Sequence, residues 1–215
     1  MLELQGINGP HPLVQVWGNQ VFPGETPLYP EPLFLGGTDY GARRVVFRTW
    51  MTGTSFEALC SGNGTAGATC PCANVGFAHT GCNNSSDNGG ARLAVSGTTT
   101  PDTVVLRTSG ELPTALTIFL QGDAELTTPA PFGDGLRCAG GNLLRLYVTS
   151  AVGGVAIAPQ PGDPSITARS AALGDAIPAG SQRLYQAYYR DANVAFCPAP
   201  AGSTFNASNA IRVVW

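Results

Sequence analysis

Apolar and polar residues alternate with a period of two through much of this chain. Pro131 to Thr149, PFGDGLRCAGGNLLRLYVT, opens on a glycine turn, passes a cysteine and turns again at Gly140-Gly141. It then reads as a strand with Leu144, Leu146 and Val148 on one face and Arg145, Tyr147 and Thr149 on the other. ARLAVSG before it, and RLYQAYYR and AIRVVW after it, share the period. This strand is therefore expected inside a sheet with a neighbour on each side.

From Ala91 onward the strand-like segments arrive at regular intervals: ARLAVSG, TVVLRTSG, ALTIFLQG, NLLRLYVT, GVAIA, SITARS, RLYQAYYR and AIRVVW. Turn signals separate them, among them Thr100-Pro101-Asp102, Gly133-Asp134-Gly135, Gly153-Gly154 and Pro161-Gly162-Asp163-Pro164. No helix with start and stop signals is visible. The pattern predicts an all-β fold, an antiparallel two-sheet sandwich that is jelly-roll-like. Ile211, Val213 and Trp215 fall in one phase, so the last strand is expected to be buried and to complete the sheet.

The first quarter has another texture, rich in Pro and Gly, with strands expected at Leu13 to Trp17 and Ala42 to Trp50. Residues 1–55 are read as an N-terminal arm or the end of a preceding module, and residues 56–215 as the main domain. The opening MLELQGINGPHP has neither the charged and apolar regions nor the cleavage site of a signal peptide. If the protein is exported, the chain is expected to be a processed fragment or the tail of something longer.

Composition supports the β reading. Charged residues make up 12% of the chain, and 28 Gly and 17 Pro supply turns rather than helix interiors. All 11 basic residues are Arg, the net charge is -3, and no basic stripe appears, which argues against nucleic acid as a partner. No apolar run approaches a membrane span.

Cys60, Cys70, Cys72 and Cys82 enclose two equal loops around a central CPC, filled with Gly, Asn, Ser and Thr. Almost nothing in these loops could build an apolar core, so cross-links are expected to supply the order that burial cannot. Six cysteines permit fifteen pairings. The expected set joins Cys138 to Cys197 and forms two local bridges within Cys60 to Cys82. Zinc on these four cysteines with His79 is the alternative, and the spacing is wrong for C-x2-C knuckles. Six free thiols are a third reading, disfavoured by the even count in polar loops.

Catalytic signals are sparse. There is no G-x-S-x-G elbow, P-loop or dinucleotide fingerprint, and both histidines, His11 and His79, lie in turn-rich segments. Asp123 and Glu125 follow a strand and Asp134 sits in a glycine turn, so the three could converge as the carboxyl pair of a hydrolase, with His79 as a base. The competing reading makes Asp123 and Asp134 turn formers that bond their own backbone. The same carboxylates, or Asp87 in the Asn83-to-Asn88 loop, offer hard oxygen ligands for calcium. Tyr185 and Tyr189 share one strand face; beside Arg183 they could stack on a glycan, unless both faces of the sheet are covered.

FEALCSGNGT at Phe56, CPCANVG at Cys70, GCNNS at Gly81, IFLQGDAEL at Ile118, FGDGLRCAGG at Phe132, RLYQAYYRD at Arg183, FCP at Phe196 and TFNASNAIRVVW at Thr204 follow one another in the chain. Over Phe56 to Trp215 the sequence resembles a recurrent C-terminal domain of large exported proteins of planctomycetes, myxobacteria and similar environmental bacteria. The resemblance implies export, disulfides and a β-rich fold, and carries over no catalytic residue. The expected function is an extracytoplasmic, non-catalytic binding, adhesive or structural module for a glycan, a surface polymer or upstream domains. A small secreted hydrolase, calcium-dependent in one form, and a sorting or surface-anchoring tail are the alternatives.

Overall fold

The computed structural model describes residues 56–215; the reading of residues 1–55, the strands expected there and His11 lie outside the described residues. The compact unit that starts at Gly53 is almost entirely β. Its main sheet has five antiparallel strands, β1 (Phe56–Leu59), β10 (Phe205–Val214), β9 (Gln182–Arg190), β4 (Leu116–Gly122) and β7 (Leu144–Ser150), in that spatial order. A second sheet pairs β2 (Arg92–Ser96), β3 (Val105–Ser109) and β8 (Ile157–Ala158). The hairpin β5 (Ala124–Phe132) and β6 (Gly135–Gly140) stands apart from both.

The larger core unites the two sheets. Phe119, Tyr185, Ala187, Tyr189 and Val213 of the main sheet join Leu93 and Leu106 of the smaller one in a single buried cluster. A second cluster, Leu136 and Cys138 of the hairpin with Cys60, Cys70, Cys82 and Ala210, covers the other face. The sandwich expected from the alternating pattern is present, and its central sheet is covered on both faces. Among the described residues, no helix is long and apolar enough to cross a membrane.

Strand β10 reaches far upstream of Ala210 through NASN, a run of polar residues that reads as loop in the sequence. The register slips between Ala207 and Ala210, and buried side chains take over the missing ladder bonds. Ser208 Oγ accepts the Ala187 amide at 3.0 Å, and Asn209 Oδ1 accepts the Leu93 amide at 2.7 Å. From β9, Gln186 Nε2 donates to Leu136 and Ser208 carbonyls, both at 2.8 Å, and Gln186 Oε1 accepts the Cys138 amide at 3.1 Å. Ser208 thus bridges β10 to β9 at the slip, while Asn209 and Gln186 bond the main sheet to β2 and to β6.

Four expectations are corrected. Strand β7 is an edge rather than an interior strand; the strand with most neighbours between is β9. Its alternation is broken by a bulge at Leu146, since Phe119 pairs with Tyr147 but Leu120 pairs with Arg145. Tyr147 therefore turns into the core while Val148 is exposed. The segment SITARS is not a strand but the start of helix α1 (Ile166–Ala172). Ser165 caps it by accepting from the Ala168 amide, Asp102 Oδ2 accepts the Thr167 amide at 2.8 Å, and only Ile166 and Ser170, four apart, are buried. The Gly133-Asp134-Gly135 turn joins two strands, of which β5 was hidden by Pro129 and Pro131; a two-stranded ribbon tolerates proline because each strand keeps one unpaired side.

The fourth correction concerns the cysteines. All six are bridged, as Cys60–Cys138, Cys70–Cys82 and Cys72–Cys197. The expected Cys138–Cys197 bridge does not form, and only one of the two local bridges does. Strand β6 stacks over the sheet where β1 ends, which sets Cys138 beside Cys60. Cys197 lies in the loop before β10, which packs instead on the Cys-rich coil.

Candidate functional site

After β1 the chain leaves the sheet for a coil held by turns rather than apolar packing. Gly62 donates to Thr80 O at 2.8 Å, Gly76 to Gly62 O at 2.9 Å and Gly81 to Ala91 O at 2.8 Å. The approach is close enough to require glycine at Gly81, where a Cβ would stand 1.9 Å from Ala207 O. With the Cys70–Cys82 bridge, these contacts give the coil a fixed surface.

Between that surface and β5 lies an open groove of about 450 Å³, with the Cys60–Cys138 bridge among its lining. Its polar rim is Ser61, Asn63, Thr65, His79, Glu125 and Thr127. Thr65 Oγ1 donates to Asn63 Oδ1 at 2.6 Å, and Ser61 Oγ accepts the His79 amide at 3.0 Å. Ser61 therefore meets the backbone of the 77–79 turn and is not bonded to the His79 ring. Phe77, next to the lining residues Ala78 and His79, is 66% exposed, and its ring lies on Gly89, where a Cβ would come within 2.2 Å of it.

The residues singled out in the sequence scatter. Asp123 Oδ1 accepts the Asn142 amide at 2.7 Å, reaching the turn after β6 rather than the backbone of its own turn. Glu125 reaches the groove, but Arg212 holds it together with Glu57 in a surface pair of ion pairs. Asp87 accepts from Asn83 Nδ2 at 2.7 Å. Asp134 is fully buried, far from the role of an exposed acid. Tyr185 and Tyr189 are fully buried in the main core, and burial pushes both phenols well up. Arg183 is buried against Asp175, with Nη2 to Oδ1 at 2.7 Å. The rings and the arginine thus belong to the covered-sheet reading rather than to a ligand platform.

Among the described residues, no three His, Cys, Asp or Glu side chains gather as a metal cluster. The zinc reading fails because all four of its cysteines are bridged. The groove's hydroxyl rim, and the exposed Phe77 next to it, escaped sequence reasoning. Their only signal was an isolated apolar residue in a loop without hydrophobic period.

One buried acid has a measurable consequence apart from the groove. Glu111 accepts from Thr117 Oγ1, while its other oxygen has no hydrogen-bonding partner among the described residues. Burial pushes its carboxyl up, against hydrogen bonds from Thr108 and Thr117 that lower it. The folded chain holds this proton more tightly than the unfolded one. Stability is therefore fully present below the ordinary value of 4.5 and is lost as pH rises through the higher folded-state value. Glu111→Gln should remove that loss, stabilising the chain on the order of 1–3 kcal/mol above neutral pH relative to acid. Urea unfolding of both forms across pH checks it; parallel curves would refute the assignment.

Compared with protein-family models, with curated proteins and with solved structures, the chain matches none.

Proposed function

We propose that the domain is an exported, non-catalytic module that binds a neutral glycan in the groove beside the Cys60–Cys138 bridge. The observation behind this reading is the groove's combination of parts. Hydroxyl and amide groups of Ser61, Asn63, Thr65 and Thr127 suit the many donors and acceptors of a sugar polymer. Beside the rim, though not in its lining, the exposed Phe77 offers an apolar ring against which a pyranose could pack. Glu125, the one carboxylate in the rim, is held by Arg212, which it shares with Glu57, so its oxygens are engaged at the groove's edge rather than free to take a cation. Three disulfides suit an oxidising compartment.

The scattering of Asp123, Glu125 and Asp134 supports a binding reading over a hydrolytic one that uses these three acids. Two carboxyl groups must flank one bond for glycoside cleavage, and here one caps a turn, one is paired and one is buried.

Affinity electrophoresis in gels containing soluble neutral polysaccharides should retard the chain. Phe77→Ala should weaken binding roughly five- to tenfold, the scale of one lost stacking contact at about 1–1.5 kcal/mol. Asn63→Ala should weaken it less. Failure of every neutral polymer to retard the chain, or equal retardation of wild type and Phe77→Ala, rejects the groove. Release of reducing ends from a retarding polymer would return the hydrolase reading instead.

A further inference from the structure

We propose that Asn63-Gly64 is a self-modifying site, where the groove rim converts its own asparagine to aspartate and isoaspartate and so acquires a negative charge without an enzyme. Asn-Gly pairs stand at Asn8, Asn63 and Asn88; in this dipeptide the following backbone amide meets no Cβ on its way to the side-chain carbonyl. Asn8 lies outside the described residues. The other two sit in opposite surroundings. At Asn63 the carbonyl is polarised, since Oδ1 accepts the Thr65 amide at 3.2 Å and the Thr65 hydroxyl at 2.6 Å, so charge that develops on it during attack finds two donors in place. Neither Asn63 Nδ2 nor the Gly64 amide has a hydrogen-bonding partner among the described residues. Gly64 is exposed at φ +86°, and a Cβ there would meet nothing within 4 Å, which leaves the turn room to bring the two groups together.

At Asn88 the nucleophile and the leaving group are both tied down. The Gly89 amide donates to Asn83 Oδ1 at 2.8 Å, and Asn88 Nδ2 donates to Gly110 O at 2.9 Å. Asn88 Oδ1 has one donor, the Gly90 amide at 3.2 Å, and the Phe77 ring closes the space over Gly89, within 2.2 Å of where a Cβ would stand. In the reaction the Gly64 nitrogen gives its proton to water and bonds to Asn63 Cγ; the bond from Cγ to Nδ2 breaks, and ammonia leaves with a proton from solvent. Water then adds to one of the two carbonyls of the five-membered imide and breaks its bond to nitrogen. One opening gives aspartate and the other isoaspartate, each with a charge that Asn63 lacks. Arg212 does not answer that charge, being engaged by Glu57 and Glu125. That the charge weakens retention of a neutral glycan rests on the groove reading; that it forms does not.

The test ages the full chain, bridges intact, in mildly alkaline buffer and follows it by mass spectrometry of chymotryptic peptides, which divide the two sites at Phe77. Asn63 should convert about tenfold or more faster than Asn88, the scale of the hydrogen bonds that only Asn88 and Gly89 must first break. Isoaspartate should accompany aspartate at Asn63, since both come from one imide and direct hydrolysis yields aspartate alone. In the chain reduced and unfolded in urea the two sites should convert at similar rates, which shows that the fold and not the dipeptide sets the difference. The inference is overturned if Asn63 stays intact in the folded chain while the unfolded chain converts, if Asn88 keeps pace with it in the folded chain, or if aspartate forms without isoaspartate. No polysaccharide enters this readout, so its failure leaves the groove reading standing, and a groove that binds nothing leaves the modification standing.

Discussion

Replacing Cys72 and Cys197 together by serine is expected to cost about 5 kcal/mol of unfolding free energy, the largest loss among the three bridges. The bridge spans 125 residues, against 78 for Cys60–Cys138 and 12 for Cys70–Cys82. In the chain-entropy account a cross-link destabilises the unfolded state in proportion to the logarithm of the loop it closes, giving roughly 5, 4.5 and 3 kcal/mol in that order. The coil from Cys60 to Gly90 contributes few large side chains to either core, so a long bridge has little apolar packing to fall back on. Urea unfolding of the three paired-serine variants gives the ranking. A greater loss from Cys70 and Cys82 than from Cys72 and Cys197 would contradict it, and a peptide map of the unreduced protein would contradict the pairing itself if it linked Cys138 to Cys197.

Gln186→Leu should destabilise the fold by about 5 kcal/mol although it swaps one buried side chain for another of similar size and greater hydrophobicity. The amide gathers backbone groups of two layers: it donates to Leu136 O and Ser208 O and accepts from Cys138 N and, at 3.4 Å, from Ala139 N. Leucine would remove all of these bonds, at about 1–3 kcal/mol for each buried group left unsatisfied, offset in part by its own burial. Gln182→Leu, at the exposed start of the same strand, should stay within about 0.5 kcal/mol and controls for strand propensity. Chemical denaturation of the two variants decides it. A small cost at Gln186 would mean that water or a relaxed backbone replaces the amide.

That amide also marks where sequence reading stops. In RLYQAYYR the period placed Tyr185, Ala187 and Tyr189 on one face and Leu184 and Tyr188 on the other, and the structure keeps that division. What the period could not give is the fate of the second face. Gln186 and the NASN run before Ala210 are polar, and polar residues at inward positions argue for exposure until a second layer is known to lie over them. The β5–β6 hairpin is that layer, and its prolines concealed it. At β7 a single bulged residue was enough to exchange the faces of everything beyond it.

The groove was illegible for a related reason. Its rim comes from the coil after β1 and from β5, more than forty residues apart, and no local pattern links Asn63 to Thr127. The carboxylates that did share a neighbourhood in sequence, Asp123, Glu125 and Asp134, were separated because the hairpin that holds them turns each to a different environment.

The residues alone determined the class of fold, its reliance on cross-links, the main strands and the alternation that builds the larger core, because each of these is set by neighbours two to four positions away. Which cysteines meet, which strand lies at the edge and which polar side chains replace ladder bonds were decided only by tertiary structure. These depend on how separate layers stack, and the energy that selects one stacking arises from contacts between segments whose order in the chain says nothing about their distance in space.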